Sequence, residues 1–541
     1  MNKHTNLLIA AALSFSAQGL LSAGDFEKAA RAVEAGLADG KTGIGFPVSG
    51  PVPAGMPELK SLPCTAQFTA NPGKEEEIVT VCAASLKAAA PEQKVEMLLT
   101  LIRNAVPSAT SSDGLGMQDY RERAIARILA SAPDAAAFDY MFYRANPGHL
   151  RQAVGDYKRI LDMQTAARFS VVPGDWDGLD RYIGVAAGAQ QAKRNNIKFL
   201  IDGPAVEIEG GKALRAAKSS IHIELFQLQA DNIGQGLARV LSEKAKEGVK
   251  VRLLIDAKGS DLEDDNELKK LIENLRSSGV WVYAQKPPLL QDHLDHRKVV
   301  VIDGQIGFTG GMNVGRLYQV DWHDQQTLIM GPAVAELQKA FVERWYLATD
   351  ELLSGPGLYQ FSAEVPGGAE TRVVPHTGKR DQNIKAVYLR AIGTAQRSIR
   401  IANPYFTDED VVDALNAAAR RGVKVQVVLP RENDEPIVQH ASRYSYPKLL
   451  KAGVEIYEYP SRMAHEKVAV MDGRWATFGS SNLDARSFYN NDELNLVVTD
   501  AGLAQDIEQR LFDTDIARST RITHYSPDAA DHAAGQIDGF L

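Results

Sequence analysis

Two stretches of the sequence repeat one pattern and decide the fold. The first is HRKVVVIDGQIGFTGGMN, residues 296–313, and the second is HEKVAVMDGRWATFGSSN, residues 465–482. They begin 169 positions apart, which is the spacing of domains rather than of solenoid repeats. In each, an Asp-Gly pair separates two apolar runs, which predicts a β-hairpin that turns at Asp303-Gly304 or at Asp472-Gly473.

The segments around both stretches also repeat. Short β runs alternate with helical patterns in the same order twice, which predicts an α/β fold with a largely parallel or mixed sheet. The first copy has predicted strands over 220–228, 249–256 and 280–284, and helices over 236–246 and 267–277. The second copy has predicted strands over 398–402, 423–430 and 454–459, and helices over 410–421 and 442–452. Two similar halves in one chain favour a pseudo-twofold axis, with the functional site at the seam.

Each copy contains the pattern H-x-K-x-x-x-x-D. The candidate catalytic residues are therefore His296, Lys298 and Asp303 in the first copy and His465, Lys467 and Asp472 in the second. Residues two apart on a strand share a face, so each His and Lys should project into one cleft. The two aspartates stand at the turns, where we expect them to hold the loop rather than to touch substrate.

Polar residues after each hairpin suit a phosphate. Gly310-Gly311-Met312-Asn313 and Gly479-Ser480-Ser481-Asn482 combine small residues, which let backbone N–H groups approach an anion, with an amide donor. We therefore predict that Asn313, Asn482 and Ser480 contact or orient the phosphate. An acid follows each histidine by 28 positions, Asp324 in the first copy and Glu493 in the second. We expect each acid to accept the imidazole N–H of the histidine in its own half.

These residue types predict two-histidine chemistry on a phosphodiester. One histidine attacks phosphorus and the other protonates the leaving oxygen, while the lysines and asparagines stabilise the equatorial oxygens. No cofactor is predicted. The cluster from Asp292 to His296 offers a metal site as an alternative, which is disfavoured because His293 and His296 would point to opposite faces of a strand.

Composition and the N-terminus suggest a location. The chain has 541 residues, 45% of them hydrophobic, and a formal net charge of −8, which excludes a disordered chain and disfavours nucleic acid as a partner. Residues 1–23 are interpreted as a signal peptide, with an uncleaved anchor as the alternative. We therefore predict an exported protein, periplasmic or secreted, whose mature chain has no transmembrane segment. Nothing in the sequence specifies an oligomeric state.

The predicted location also determines the expected state of the two cysteines. In an oxidising compartment Cys64 and Cys82 are predicted to form a disulfide, although two unrelated buried thiols remain an alternative. They lie in a mostly helical accessory domain predicted over residues 24–194. The first α/β half is then assigned to 195–354, a linker to 355–371, and the second half with the C-terminal tail to 372–541.

The duplicated motif, with Gly and Asn after it, resembles the phospholipase D superfamily. The resemblance covers roughly residues 195–519, and the stretches 296–315, 331–345 and 465–495 are most similar to the bacterial cardiolipin synthase branch. It implies two α/β/α sandwich halves around a pseudo-twofold axis and a covalent phosphohistidine that water or an alcohol resolves. By similarity, His296 is the nucleophile and His465 is first the general acid and then the base.

Two departures accompany the resemblance. Members of the branch begin with transmembrane helices, whereas this chain begins with a signal-like segment, and their W-R-D reads Trp322-His323-Asp324 here, which we interpret as the loss of one cation near the site. The function predicted is an exported phosphodiesterase or phosphatidyltransferase that acts on phospholipids at a membrane surface, with water or an alcohol as acceptor. The alternatives are an exported nuclease of the superfamily and a non-catalytic envelope binding protein.

Overall fold

The computed structural model describes residues 171–536, apart from 188, 190, 287–292, 350, 352, 354–362 and 379–382. The predicted signal peptide, the Cys64–Cys82 disulfide and nearly all of the predicted helical domain lie outside these residues. The described strands form one mixed sheet of 15 strands. They are β1 (Gln191–Ile201), β2 (Ser220–Leu225), β3 (Lys250–Asp256), β4 (Trp281–Gln285), β5 (Val299–Ile302), β6 (Ile306–Gly310), β7 (Gln325–Met330), β8 (Ala369–Thr377), β9 (Ser398–Ala402), β10 (Lys424–Pro430), β11 (Glu455–Tyr459), β12 (Val468–Met471), β13 (Trp475–Gly479), β14 (Asp492–Thr499) and β15 (Thr520–Ile522).

Helices connect these strands and cover both faces of the sheet. The α-helices are α1 (Trp176–Ala186), α2 (Asp202–Ala216), α3 (Asn232–Lys246), α4 (Asn266–Ser277), α5 (Ala333–Thr349), α6 (Asn383–Thr394), α7 (Glu409–Arg420), α8 (Pro436–Tyr444), α9 (Tyr446–Ala452), α10 (Ala485–Tyr489), α11 (Ala501–Ile507), α12 (Thr514–Arg518) and α13 (Ala529–Gly535). Two π-helical turns, Leu317–Asp321 and Glu508–Asp513, precede β7 and α12. Within the described part of the chain, no helix combines the length and the apolar character that a membrane crossing requires.

The order of the strands confirms the predicted duplication. Across the sheet it is β15-β11-β10-β9-β12-β13-β14-β8-β1-β7-β6-β5-β2-β3-β4. From the middle outward, β8-β14-β13-β12-β9-β10-β11 in one half matches β1-β7-β6-β5-β2-β3-β4 in the other. The central strands β1 and β8 pair antiparallel, so the two α/β halves share one continuous sheet about a pseudo-twofold axis.

Both predicted hairpins are present, and their turns show why Asp-Gly stands there. β5 pairs antiparallel with β6, and β12 with β13. The turn residues have positive φ, 53° and 64° at Asp303 and Gly304 and 54° and 59° at Asp472 and Gly473. Two left-handed residues in succession are the requirement of a type I′ turn, which Asp and Gly tolerate best.

Most predicted elements lie within a few residues of their observed bounds, and two differ for a local reason. Helix α3 begins at Asn232 rather than at 236, because the Asp231 carboxylate accepts hydrogen bonds from the N–H groups of Ile233 and Gly234 and caps the helix there. The single helix predicted over 442–452 is wrong. The chain forms α8 and α9 instead, with Pro447 in the first turn of α9, where its missing N–H costs no hydrogen bond.

Helices on opposite faces complete each half. In the first half, α3 and α4 cover one face over a core that includes Leu241, Leu253 and Ile272, and α5 covers the other face. Helix α5 also packs against β8, so it bridges the seam. Helix α1 belongs with the second half in space, because Trp176 packs on Trp475 with ring centroids 6.0 Å apart and Asp180 pairs with Arg372 at 2.7 Å.

Candidate active site

The two motif histidines lie at the seam, immediately before β5 and β12. The backbone N–H of His296 donates to the carbonyl of Asp492 at 2.9 Å, and the N–H of His465 donates to the carbonyl of His323 at 2.7 Å. Each motif is therefore held by the backbone of the opposite half. Lys298 and Lys467 lie beside their histidines, since each ammonium donates to the carbonyl of the histidine two residues before it, at 2.5 and 2.7 Å.

The acids orient the histidines across the seam, not within each half. His296 Nδ1 lies 2.9 Å from Glu493 Oε1, and His465 Nδ1 lies 2.8 Å from Asp324 Oδ2. The expectation that each acid serves the histidine of its own half is wrong. Glu493 is the second residue of β14, and Asp324 immediately precedes β7. These strands flank the central strands β8 and β1, so the two side chains reach the motif of the other half.

Burial keeps both histidines neutral. It lowers the pKa of His296 to about 4, against the opposing effect of Glu493. It also lowers the pKa of His465 well below its usual value, and the nearby Lys467, Lys298 and His296 lower that pKa further. The bridges Asp295–Asp492 and His323–Ala464, one beside each motif, bring both histidines and both lysines to the same seam. With Nδ1–H donated to a carboxylate, the lone pair of each histidine lies on Nε2.

The two orienting carboxylates have unequal support. Glu493 accepts hydroxyl hydrogen bonds from Ser480 and from Ser487, the latter at 2.8 Å. Its pKa lies below the usual value because His296, Lys298 and the Ser480 hydroxyl outweigh its burial. Asp324 accepts one backbone N–H, from Gln325 at 2.8 Å, and burial raises its pKa to about 7. Ser480 thus orients Glu493, and Ser487 is a residue that the motif did not reveal.

The remaining polar groups of the motif supply positive charge and amides. Burial lowers the pKa of Lys298 to about 7 and that of Lys467 to about 8. Asn313 Oδ1 accepts the backbone N–H of Gln227 at 3.1 Å, which fixes the orientation of its amide. Asn482 is buried, and its Oδ1 has no hydrogen-bond partner among the described residues.

The motif aspartates lie at the opposite ends of their strands from the histidines. Asp303 accepts backbone N–H groups from Lys218, Ser219 and Ser220 at 2.7–2.9 Å. Asp472 accepts those of residues 396–398 at 2.7–3.0 Å. Strands β5 and β12 separate them from the lysines, at about 3.4 Å per residue. The structure therefore places both aspartates where they hold a turn, as expected from the sequence, and outside the group that meets the substrate.

Aromatic side chains that lie outside the two motifs line the site. The ring of Phe226 lies 4.8 Å from that of His296, edge to face, and 5.0 Å from the Lys298 ammonium. On the other side, the Trp322 ring lies 4.7 Å from the His465 ring, and Tyr318 packs on Trp322. These rings remove water from the histidines and explain their depressed pKa values.

Behind each histidine lies a buried ion pair that joins the two halves. Asp492 of the second half meets the first half's Arg344 at 2.6 Å and lies near Arg297. At the equivalent place His323 of the first half meets Glu466 of the second at 2.8 Å. Although burial lowers the pKa of His323, the carboxylates around it hold that pKa far above its usual value, so His323 carries a positive charge.

Metal-ligating residue types come together in two places in the described chain. His323, Glu466 and Asp515 form one group, and His440, Asp528 and Asp531 form the other. Ion pairing between histidine and carboxylate accounts for the approach of the groups in both. His293 does not join His296 in a metal site, because it binds Asp492 at 2.9 Å while His296 binds Glu493.

Comparison with known proteins agrees with this geometry. Residues 212–345 and 388–515, each with one motif, match the family described as cardiolipin synthase, PLD-like domain. A probable cardiolipin synthase of Bacillus subtilis is 35% identical over 61% of this chain and 68% of its own length. The chain belongs to this phospholipase D-like family.

Two further relatives extend the comparison. A cardiolipin synthase of Geobacillus kaustophilus is 41% identical over 52% of this chain and 58% of its own length. The crystal structure of a phosphatidylserine synthase of Haemophilus influenzae shares the fold, with a TM-score of 0.50 and 14% identity over 64% of this chain and 95% of that one. The chain thus spans 58% and 68% of the lengths of these two cardiolipin synthase relatives.

Family membership corrects one expectation and removes one alternative. The predicted export, periplasmic or secreted, is wrong, because the matching relatives are bacterial cardiolipin synthases, membrane-associated enzymes of the cytoplasmic side. The Cys64–Cys82 disulfide loses the support that an oxidising compartment gave it. The chain is an enzyme of the phospholipid phosphatidyltransferase class, which excludes a non-catalytic binding protein.

A further expectation concerned the family's W-R-D. The replacement of its arginine by His323 does not remove a cation, because Glu466, Asp202 and Asp515 keep the imidazole protonated. The positive charge that the family supplies with a guanidinium is supplied here by an imidazolium.

Proposed function

We propose that this phospholipase D-like enzyme transfers a phosphatidyl group from one phospholipid to a head-group alcohol at a membrane surface, through a covalent phosphohistidine on His296. The observation that carries the proposal is the pair of crossed histidine–carboxylate contacts, which leave one neutral Nε2 in each half of a single buried site. A nucleophile and a proton donor on opposite sides of one phosphorus are what a two-step displacement requires.

The unequal carboxylates support the two roles. Because Asp324 has a pKa of about 7, the His465–Asp324 pair takes up an extra proton near neutrality. The His296–Glu493 pair takes one up only in acid, since the pKa of His296 is about 4 and that of Glu493 is also lowered. At neutral pH His296 is therefore free to attack, and His465 shares a proton that it can give to the leaving group.

Transfer takes place in two displacements at phosphorus. The Nε2 lone pair of His296 forms a bond to phosphorus, the bond from phosphorus to the head-group oxygen breaks, and that oxygen takes the proton from His465. The acceptor alcohol then gives its proton to His465 and attacks phosphorus, and the bond to His296 breaks. Lys298, Lys467 and the amides of Asn313 and Asn482 stabilise the charge on the equatorial oxygens throughout.

Lipid turnover tests the proposal directly. Purified protein is incubated with phosphatidylglycerol vesicles, with and without EDTA, and the lipids are followed by mass spectrometry. We expect cardiolipin and free glycerol, also in EDTA because the lysines supply positive charge, and no product from a protein with both His296 and His465 changed to Ala. Phosphatidic acid as the sole product would replace transfer by hydrolysis. Unchanged lipid together with degraded DNA would favour the nuclease alternative and overturn the proposal.

A further inference from the structure

A cavity of about 390 Å³ lies in the first half between helices α2 and α3 and the sheet. Apolar side chains form its floor and walls: Ile223, Val300, Phe308, Val206, Leu214 and Leu237. Its volume falls within the range of about 300–1,000 Å³ that is typical of small-molecule sites. The lining suits hydrocarbon better than any polar ligand.

The cavity exists because glycines stand where the second half has side chains. Gly210 on α2 and Gly236 on α3 both line it, and a Cβ added at either would meet no atom within 4 Å. Helices α2 and α6 each end three residues before the matching strands β2 and β9, so Gly210 corresponds to Tyr388. Tyr388 is buried and packs against Phe488, with ring centroids 6.5 Å apart. The first half leaves open the layer that Tyr388 fills in the second.

The cavity reaches the candidate active site. Asn313, whose amide is a predicted phosphate contact, is one of its lining residues, as is Gln326, two residues beyond Asp324. Met312 also lines it and packs in a cluster with Tyr318 and Trp322, the residues that wall His465. Its charged lining residues, Arg215, Arg239 and Glu207, are all exposed. An apolar chain in the cavity would thus continue from a group bound at the histidines.

We propose that this cavity binds one acyl chain of the phospholipid substrate, an inference that rests on the proposed function. Acyl chains are the apolar part of such a lipid, and the cavity joins apolar lining to Asn313, the predicted phosphate contact. For a short-chain phospholipid that is monomeric in water, each methylene that enters the cavity should raise kcat/KM about four-fold. The pocket therefore selects lipid over a soluble phosphodiester with the same head group.

The test fills the cavity from its own wall. Gly210→Leu adds a side chain into open space, and Gly210→Ala is the matched control, because it changes the same helical position and leaves most of the volume. Both substitutions favour the helix, so folding is retained. For dihexanoyl phosphatidylglycerol below its micellar concentration we expect Gly210→Leu to lower kcat/KM about 50-fold, as about three methylenes are displaced into water. For bis-p-nitrophenyl phosphate, and for the alanine variant with either substrate, we expect changes below about two-fold.

A second variant and a binding measurement make the result decisive. Gly236→Leu, from the facing helix, should reproduce the selective loss. Equilibrium dialysis of hexadecylphosphocholine below its micellar concentration should show weaker binding to Gly210→Leu than to wild type or Gly210→Ala. An equal loss on both substrates, or no loss of chain binding, would overturn the inference. Selective chain binding without any turnover of phosphatidylglycerol would leave the inference standing and overturn the proposed function instead.

Discussion

The two halves of the sheet are alike in topology and unlike in the surroundings of their histidines. Seven strands have the same order in each half, and each histidine donates to a carboxylate of the other half. Glu493 is supported by two hydroxyl groups, whereas Asp324 has one backbone N–H and a pKa of about 7. The duplication thus sets where the histidines lie, while the unequal environments set how many protons each histidine–carboxylate pair holds.

The buried ion pairs behind the site also share their positions and differ in their residues. At one equivalent place the second half supplies the anion, Asp492, and the first half the cation, Arg344; at the other the second half again supplies the anion, Glu466, and the first half the cation, His323. The two places thus hold ion pairs built from different residue types, so the duplication sets where the buried charges lie and not which residues supply them.

The largest expected effect separates the two histidines. His296→Ala should lower kcat about 10⁴-fold or more and give no covalent intermediate, because the attacking atom is gone. His465→Ala should lower lipid turnover about 10²–10⁴-fold, the usual contribution of a general acid. With a p-nitrophenyl phosphodiester, whose leaving group needs no proton, His465→Ala should still form a phosphohistidine, and that species should persist.

Peptide mapping by mass spectrometry after an alkaline quench, in which the acid-labile P–N bond survives, locates the phosphoryl group. Phosphate trapped on His465 instead of His296 would exchange the two roles and leave the two-histidine mechanism in place. Absence of any trapped species in His465→Ala, under conditions in which wild type shows a burst of p-nitrophenol, would contradict a nucleophilic role for His296.

The next effect tests the crossed pairing. Glu493→Gln removes the carboxylate that orients His296, so formation of the intermediate should slow about 10–100-fold. Asp324→Asn should slow the steps that depend on His465 by a similar factor, and its burst with a p-nitrophenyl ester should survive. Rapid-quench measurement of both steps distinguishes the variants. The reverse assignment would restore pairing within each half.

The sequence predicted the parts of the site that follow from a local pattern. The hairpins, the position of each His and Lys, and the presence of an acid 28 residues later are local, and all are observed. Which histidine each acid serves depends on the antiparallel contact of β1 with β8, and β1 was not predicted because its first residues, Gln191 to Asn196, are mostly polar. Phe226 and Ser487 stand outside the motif, so only the folded chain brings them to the site.

A smaller effect, on the pH dependence, separates the pairs by charge. Transfer requires the extra proton on the His465–Asp324 pair, so the rate should fall about tenfold per pH unit above pH 7. It should also fall below about pH 4, where His296 becomes protonated and cannot attack. In Asp324→Asn the proton must reside on His465 alone, whose pKa burial lowers, so the alkaline limb should move to lower pH.

Lys298 supplies the control for that profile. Its pKa of about 7 also predicts loss of positive charge on the alkaline side. Lys298→Arg keeps that charge at all pH values and should leave the limb near pH 7. A limb that disappears in Lys298→Arg and stays in Asp324→Asn would assign the titration to the lysine and contradict the role given to Asp324.

The smallest effect on turnover is expected at Asp303 and Asp472, where the two halves are most alike. Each carboxylate accepts three backbone N–H groups of the segment that leads into β2 or β9, and each stands at positive φ, which Asn also tolerates. Asp303→Asn and Asp472→Asn should each lower the free energy of unfolding by about 1–2 kcal/mol, since charged acceptors become neutral ones. Their kcat at pH 7 should remain within about two-fold of wild type, because neither carboxylate lies with the histidines.

The pH dependence of unfolding sharpens this prediction for Asp303. Burial raises the pKa of Asp303, but the amides of Ser220 and Ser219 hold it below its usual value. The contribution of Asp303 to the free energy of unfolding is therefore present at neutral pH and is lost as the pH falls through that lowered value. Urea unfolding at pH 7 and again near pH 3 measures this, and the difference between wild type and Asp303→Asn should shrink in acid. A ten-fold loss of kcat with unchanged unfolding would return the aspartate to the catalytic group.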